Sequence, residues 1–273
     1  MKNLCLLCLL LLTSTLYLSC EKDDDTDDDG GGETGSLHAA FAEFDETNLT
    51  IYLDGDNVVI ESNGLPNHTS PYWSNTTERS AIDPMGNTLT TPAASENHTL
   101  FVEPTITSHE QMAPGNIDDF NGSYSLTIPA TPTQSSTSSS TGLGAIGIAV
   151  SGSMIYNDEE GPNVPLDDAA PSLDYTGAHT GPQSYHYHLE TKAWSNDDDA
   201  LIGVIADGFF LYGRKCNSIG TYPGDLDASG GHTSLTQHNN EEEYHYHIQN
   251  ELYINLYYIL FPGDYQGTPN AIQ

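Results

Sequence analysis

Residues 184–190 read Ser-Tyr-His-Tyr-His-Leu-Glu, and residues 243–249 read Glu-Tyr-His-Tyr-His-Ile-Gln. Alternation with a period of two is the pattern of a β-strand, in which residues i and i+2 share a face. Each tetrad therefore predicts a strand with His186 and His188, or His245 and His247, on one face. Tyr185 and Tyr187 then share the other face and form a large, partly polar core layer. The Cα atoms of an i, i+2 pair lie about 6.6 Å apart. Two imidazoles so spaced can converge on one ion about 2.0–2.1 Å from each nitrogen. If the two strands approach, four imidazoles face one point. The plainer reading is that tyrosine is a good strand former and histidine fills a polar face. One His-x-His alone favours that reading. Two identical tetrads in a chain with 11 histidines argue against it.

The rest of the chain points the same way. Leu49–Leu53 and Val58–Glu61 flank Asp54-Gly55-Asp56-Asn57, which reads as a hairpin because Asp-Gly between β-branched runs is a strong turn signal. Residues 37–62 read as β structure throughout, and Thr99–Val102 as a short β-prone piece. Ser123–Ile128 alternates like a half-buried strand. Residues 129–141 are a low-complexity loop, and residues 157–174 an acidic loop with room for one helical turn. Leu143–Val150 is an apolar run between glycines, read as a buried strand continuing past Gly152 to Tyr156. Further strands are expected at 185–189, 201–206, 209–212, 244–249 and 251–260. No long amphipathic helix is evident. The expected fold is all-β, mostly antiparallel and sandwich-like, helix-poor, with long loops.

The first residues bear on compartment. Met1-Lys2-Asn3 gives a basic start, and Leu4–Leu12 is an apolar run too short to span a bilayer. Leu16-Tyr17-Leu18-Ser19-Cys20 then looks like a bacterial lipoprotein signal, with Cys20 as the lipid-carrying first residue of the mature chain. The acidic run after Cys20 resembles the surface-export signal of Bacteroidetes lipoproteins, and also reads as a solvated tether. The expected organisation is a signal peptide over 1–19, an acidic, Gly-rich tether over 20–36, and one β-rich domain over 37–273. The expected location is the outer membrane, lipid-anchored and exposed at the cell surface. With 39 acidic and 6 basic residues the surface repels phosphate backbones, which argues against a nucleic-acid partner. Loss of the signal and lipidation of Cys20 leave Cys216 as the one free thiol of the mature chain, so no internal disulfide forms. Without a placed base, that thiol reads as incidental.

Two more histidines extend the pattern. His179 precedes the first tetrad and His232 the second, each within two residues of a glycine, as in an internal pseudo-repeat. Here the chain resembles the YHYH-domain family of bacterial secreted and lipid-anchored proteins. The resemblance runs through VVIESNGLPNH (58–68), LTIPATP (126–132), LGAIGIAVSGSMIYN (143–157), GAHTGPQSYHYH (177–188), LIGVIADGFFLYG (201–213) and GDLDASGGH to YHYH (224–247). It implies a fold neighbourhood and a site at the tetrads rather than a reaction. Ser151, Phe210 and Ser229 stand where members of that family commonly carry Asn, Pro and Cys.

The candidate metal ligands are His186, His188, His245, His247, His179, His232 and Asp207, with His68, Asp227, Tyr185 and Tyr187 as further candidates. Asp207 can cap a turn, ligate, or orient a ligating histidine. Asp225–Gly230 mimics the first half of a calcium loop, but its twelfth position is Thr236 where a bidentate Glu is needed, so a capped turn is favoured over calcium. Imidazole-rich, thiolate-free donors suit zinc, copper, nickel or ferrous iron; the Irving–Williams order favours copper over zinc. Binding needs neutral imidazoles, so affinity is expected to fall below about pH 6.5. The preferred function is metal binding by a surface lipoprotein, with a protein partner undefined. Two alternatives stay open: a metal-dependent oxidoreductase or hydrolase using the same site, and a non-enzymatic adhesin or glycan-binding module with structural histidines. There is no G-x-S-x-G and no H-E-x-x-H.

Overall fold

Alternating and apolar runs do become strands. The computed structural model describes residues 35–67, 122–166, 173, 176–180, 184–190, 199–253 and 258–273. The segments expected to be a signal peptide (1–19) and, for the most part, a tether (20–36), together with Cys20, Thr99–Val102 and the histidines His68, His98 and His109, lie outside them. Residues Gly35–Gln273 form one compact unit. The strands are β1 (Leu49–Asp54), β2 (Asn57–Ser62), β3 (Tyr124–Pro129), β4 (Gly147–Ala149), β5 (Met154–Ile155), β6 (Glu159–Gly161), β7 (Val164–Pro165) and β8 (Ala178–Thr180). After them come β9 (Tyr185–Tyr187), β10 (Leu189–Glu190), β11 (Leu201–Ile205), β12 (Phe210–Tyr212), β13 (Gly231–Ser234), β14 (Glu243–His247) and β15 (Tyr258–Ile259). The fold is all-β and mostly antiparallel. Among the described residues the one helical element is a short 3-10 helix, Ala39–Glu43, within the stretch expected to be β.

The β1–β2 hairpin forms as the Asp-Gly signal predicts, and β3 adds to it in register with β2. Three other expectations change. The run through 143–156 is not one strand: it folds back on itself as the antiparallel pair β4–β5. Gly152 sits in the turn at φ +107°, a conformation that favours glycine. The acidic loop contains the small hairpin β6–β7 rather than a helical turn. Of the strand expected over 251–260, the described part is Tyr258–Ile259, which pairs with β10.

The site rests on a larger sheet, ordered β13-β14-β12-β11-β4-β5-β9-β8. Its two halves mirror each other in every pairing. At the centre β4 and β11 run antiparallel, with Ile148 opposite Val204. Outward from there, β4–β5 and β11–β12 are antiparallel, β5–β9 and β12–β14 parallel, and β8–β9 and β13–β14 antiparallel. The sequence carries the same repeat: IGIAVSGSMIYN (146–157) aligns with IGVIADGFFLYG (202–213). Hydrogen bonds reciprocate across the centre: the Val150 amide donates to the Ile202 carbonyl at 2.9 Å, and the Ala206 amide to the Ile146 carbonyl at 2.8 Å. The equivalent glycines Gly147 and Gly203 permit this approach. A Cβ on Gly203 would lie 2.3 Å from the Ile148 carbonyl oxygen, and one on Gly147 2.7 Å from that of Val204.

The β1–β3 sheet shares one hydrophobic core with this sheet, joining Ile60, Leu126 and Ile128 to Ile148, Val204 and Phe209. The tyrosine faces of both tetrads lie in that core. Tyr185, Tyr187 and Tyr246 are fully buried, and such a ring removes about 150–250 Å² from water. Each hydroxyl finds a partner, as a buried phenol must. Tyr185 meets Thr176 at 2.8 Å and Tyr187 meets Ser151 at 2.9 Å. Tyr246 donates to Asp207, and Tyr244 to Asp227 at 2.9 Å.

Candidate metal centres

The histidines lie on the faces that the alternation predicts, but the two tetrads do not converge. Strands β9 and β14 are separated by β5, β4, β11 and β12. Five strand spacings of about 4.8 Å place them roughly 24 Å apart. The expectation of four imidazoles facing one point is therefore wrong. The repeat is arranged about the sheet centre, which sends the tetrads to opposite ends. Each instead meets its own upstream histidine across an antiparallel pair: His179 lies opposite His186, and His232 opposite His245.

The result is two triads of nearly equal geometry. In the first, ring centroids are 4.6 Å apart for His179–His186, 5.2 Å for His179–His188 and 4.8 Å for His186–His188. In the second, the corresponding distances are 4.9 Å for His232–His245, 5.1 Å for His232–His247 and 4.9 Å for His245–His247. The rings meet at 67–74° throughout. None of the six residues is more than 7% exposed.

Backbone carbonyls orient the rings. His188 Nδ1 lies 2.7 Å from the Asn157 carbonyl, and His247 Nδ1 lies 2.7 Å from the equivalent Gly213 carbonyl. His245 Nδ1 lies 2.9 Å from the carbonyl of Glu243. A carbonyl only accepts, so each Nδ1 carries the proton and each Nε2 keeps its lone pair. His232 Nδ1 faces the Asp225 carboxylate at 2.9 Å, so its Nε2 too is left as a donor atom. A carboxylate behind an imidazole in this way fixes its tautomer and ring orientation. The aromatic rings differ in pose: Tyr156 stacks on His186 at 3.7 Å, whereas Tyr212 meets His245 edge-on at 5.3 Å.

Burial keeps the four tetrad rings neutral. Desolvation, reinforced by the neighbouring imidazoles, lowers His188 to about 4 and His186 well below the ordinary imidazole value. Desolvation likewise lowers His245 to about 4 and His247 to about 3. The second triad thus turns two lone pairs at each other, His245 Nε2 and His247 Nε2, only 3.1 Å apart. In the first, His188 Nε2 is buried without a hydrogen-bond partner among the described residues.

One further donor joins the second group and another borders the first, and the sequence reading missed both. Cys216 is fully buried, and its Sγ lies with His232, His245 and His247 in a group whose ligand atoms are all within 4.8 Å of one another. The premise of thiolate-free donors therefore fails. At the other end the Glu160 carboxylate lies 3.4 Å from His179 Nε2 and 3.8 Å from His188 Nε2. Desolvation opposes its ionisation, but His179 and His188 outweigh it and hold its pKa below the ordinary value. The pseudo-repeat was the available signal. Glu160 stands three positions after Asn157, and Cys216 three positions after Gly213.

Other candidates fall elsewhere. Asp207 caps its turn through the Phe209 amide at 3.4 Å and accepts from Tyr246 and from the Gly267 amide at 2.9 Å; it belongs to neither imidazole group. Desolvation raises its pKa. The carboxylate that orients a histidine is Asp225, not Asp207. Asp227 Oδ1 accepts from the Ser229 and Gly231 amides, at 2.9 and 3.1 Å. With its other oxygen on Tyr244 and Thr236 bonded to Glu243, the 225–230 segment is a capped turn rather than a calcium cage. Tyr185 and Tyr187 face the core, away from the imidazoles.

Residues 125–223 match the family model described as YHYH protein. Over that span the chain is similar to the YHYH family. The YHYH match takes in the first triad, Glu160 and Cys216, and ends before His232 and the second tetrad. No curated protein and no solved structure matches the chain.

Proposed function

We propose that this YHYH-like chain is an exported, lipid-anchored protein that binds a transition metal, copper or zinc, in its buried imidazole groups. The observation that carries the reading is the pair of opposed lone pairs on His245 and His247, 3.1 Å apart. Two neutral acceptors repel at that distance, and a cation between them removes the conflict. Two nitrogens each about 2.05 Å from one tetrahedral ion would lie about 3.3 Å apart, close to that spacing. His232 and Cys216 would complete such a set. A bound ion would draw charge from the imidazoles and hold the thiol as thiolate. The near-complete burial of all six histidines supports holding an ion over presenting one to a substrate, so no enzymatic step is assigned. Localisation rests on the lipoprotein-like segment ending at Cys20.

The test is metal content and melting temperature of the chain after loading with zinc or copper and desalting against a weak chelator. Retained metal and a melting rise of several degrees are expected. The pairs His186→Ala/His188→Ala and His245→Ala/His247→Ala should each lower the metal retained. An adhesin with structural histidines would retain none. For location, Cys20→Ser should move the chain out of the membrane fraction, and protease added to intact cells should reach the wild type.

A further inference from the structure

The two imidazole triads match in geometry but not in what completes them. In each half of the sheet a backbone carbonyl holds the ring of the last tetrad histidine: Asn157 for His188, Gly213 for His247. Three residues beyond each carbonyl stands a side chain that turns back to the triad. On one side it is Glu160, its side chain 33% exposed, with Oε2 at 3.4 Å from His179 Nε2 and 3.8 Å from His188 Nε2. On the other it is Cys216, fully buried, within 4.8 Å of the donor atoms of His232, His245 and His247. The aligned repeats thus set a soft sulfur donor within one triad and a hard oxygen donor beside two histidines of the other.

We propose that the chain carries two chemically distinct metal sites, a closed three-histidine–cysteine site at the β13–β14 end and a three-histidine–glutamate site at the β8–β9 end. The inference rests on the metal-binding reading and adds number and selectivity to it. Thiolate selects zinc and cuprous copper, whereas carboxylate beside imidazole admits harder divalent ions such as manganese and ferrous iron. Each fourth donor brings one negative charge, so a divalent ion is left with net charge +1 at either end. The difference in selectivity comes from donor softness and exposure, not charge. The closed end has its second layer in place as well, through Asp225 behind His232 and Ser218 and Ser234 at 3.0 and 3.3 Å from the Cys216 sulfur.

Cobalt(II) is a suitable probe, because a thiolate ligand adds an intense sulfur-to-cobalt charge-transfer band. The probe is added to the metal-free full chain carrying Cys5→Ser, Cys8→Ser and Cys20→Ser, so that Cys216 is its one thiol. Two cobalt ions per chain are expected, and the band should saturate with one of them. Cys216→Ser should abolish the band and weaken one ion at least tenfold. Glu160→Gln should weaken the other ion and leave the band. A second readout needs no further substitution and covers the case in which Cys216→Ser does not fold. Excess manganese(II) should displace the cobalt that gives no band before the cobalt that does. One ion per chain overturns the inference. Two ions without the band, a band surviving Cys216→Ser, or both substitutions acting on the same ion also overturn it, and all of these leave the metal-binding reading standing. No cobalt uptake at all overturns both.

Discussion

A buried imidazole costs free energy to protonate, and here that cost sets a pH window. His188 and His245 are lowered to about 4 and His247 to about 3, chiefly by desolvation, while an unfolded chain takes up the same protons near pH 6.5. Between those limits the unfolded state binds more protons, so stability rises with pH there. The metal-free chain should hold full stability above about pH 6.5 and lose it as pH falls toward 4. Urea midpoints measured in chelator across that range test this. His247→Gln, which cannot titrate, should flatten the slope between pH 6.5 and 5, above the range where carboxylates dominate. For the tetrad histidines the same lowering predicts that proton competition with a metal sets in below the pH of about 6.5 expected for free imidazoles, and metal retained against pH would show it. Removing one ligand acts differently. His247→Ala leaves the Gly213 carbonyl unpaired and opens a cavity, so the metal-free chain should lose about 1–3 kcal/mol. Its metal at the β13–β14 end should be lost as well, read as one fewer ion per chain.

Strand identity was legible where side-chain period and turn chemistry agreed. The tetrads, the Asp-Gly hairpin and the run at 201–205 all became strands because each has one periodic reading. The β4–β5 hairpin was not legible, since Leu143–Tyr156 is apolar nearly throughout and only the positive φ of Gly152 shows where it turns. The candidate site was half legible. His179 and His232 were found from the repeat of the tetrads, but Glu160 and Cys216 reach the triads from β6 and from the loop after β12. Their chemistry depends on a register that no local pattern encodes. Nor does alternation state how far apart two strands lie, which is why one imidazole group was expected where there are two. The centre of the sheet supplies the element-scale prediction. A Cβ at Gly203 would lie 2.3 Å from the Ile148 carbonyl oxygen, with the Cα of Ala149 at 2.8 Å. Both are backbone atoms that cannot rotate away. Gly203→Ala should cost about 1–3 kcal/mol or more, seen as a lower urea midpoint. Gly224→Ala, where nothing lies within 4 Å, should change little.

At the scale of the molecule, 39 acidic against 6 basic residues make the folded chain repel itself. Monovalent salt should therefore raise the melting temperature of the metal-free chain as the screening length shrinks from about 30 Å at 0.01 M to about 8 Å at 0.15 M. A falling melting temperature would mean that ion pairs such as Arg214–Glu190, at 2.6 Å, outweigh the repulsion. The two imidazole groups raise a different question, whether the halves of the sheet unfold together. Reciprocal hydrogen bonds and the close Gly147–Gly203 approach join β4 to β11, and both halves share one core with β1–β3. A ligand bound at either end then stabilises the same cooperative unit. Each ion at a free concentration 100 times its dissociation constant would add about 2.7 kcal/mol. Sites roughly 24 Å apart with no shared ligand should add without coupling. With about 2–4 °C per kcal/mol for a unit of this size, one ion should raise the melting temperature by about 5–11 °C and two by about twice that. Calorimetry at increasing metal should show a single transition moving upward throughout. If the peak split, with one half melting at the metal-free temperature, the central strands would not transmit what either end binds, and the repeat would be two independent metal-binding lobes.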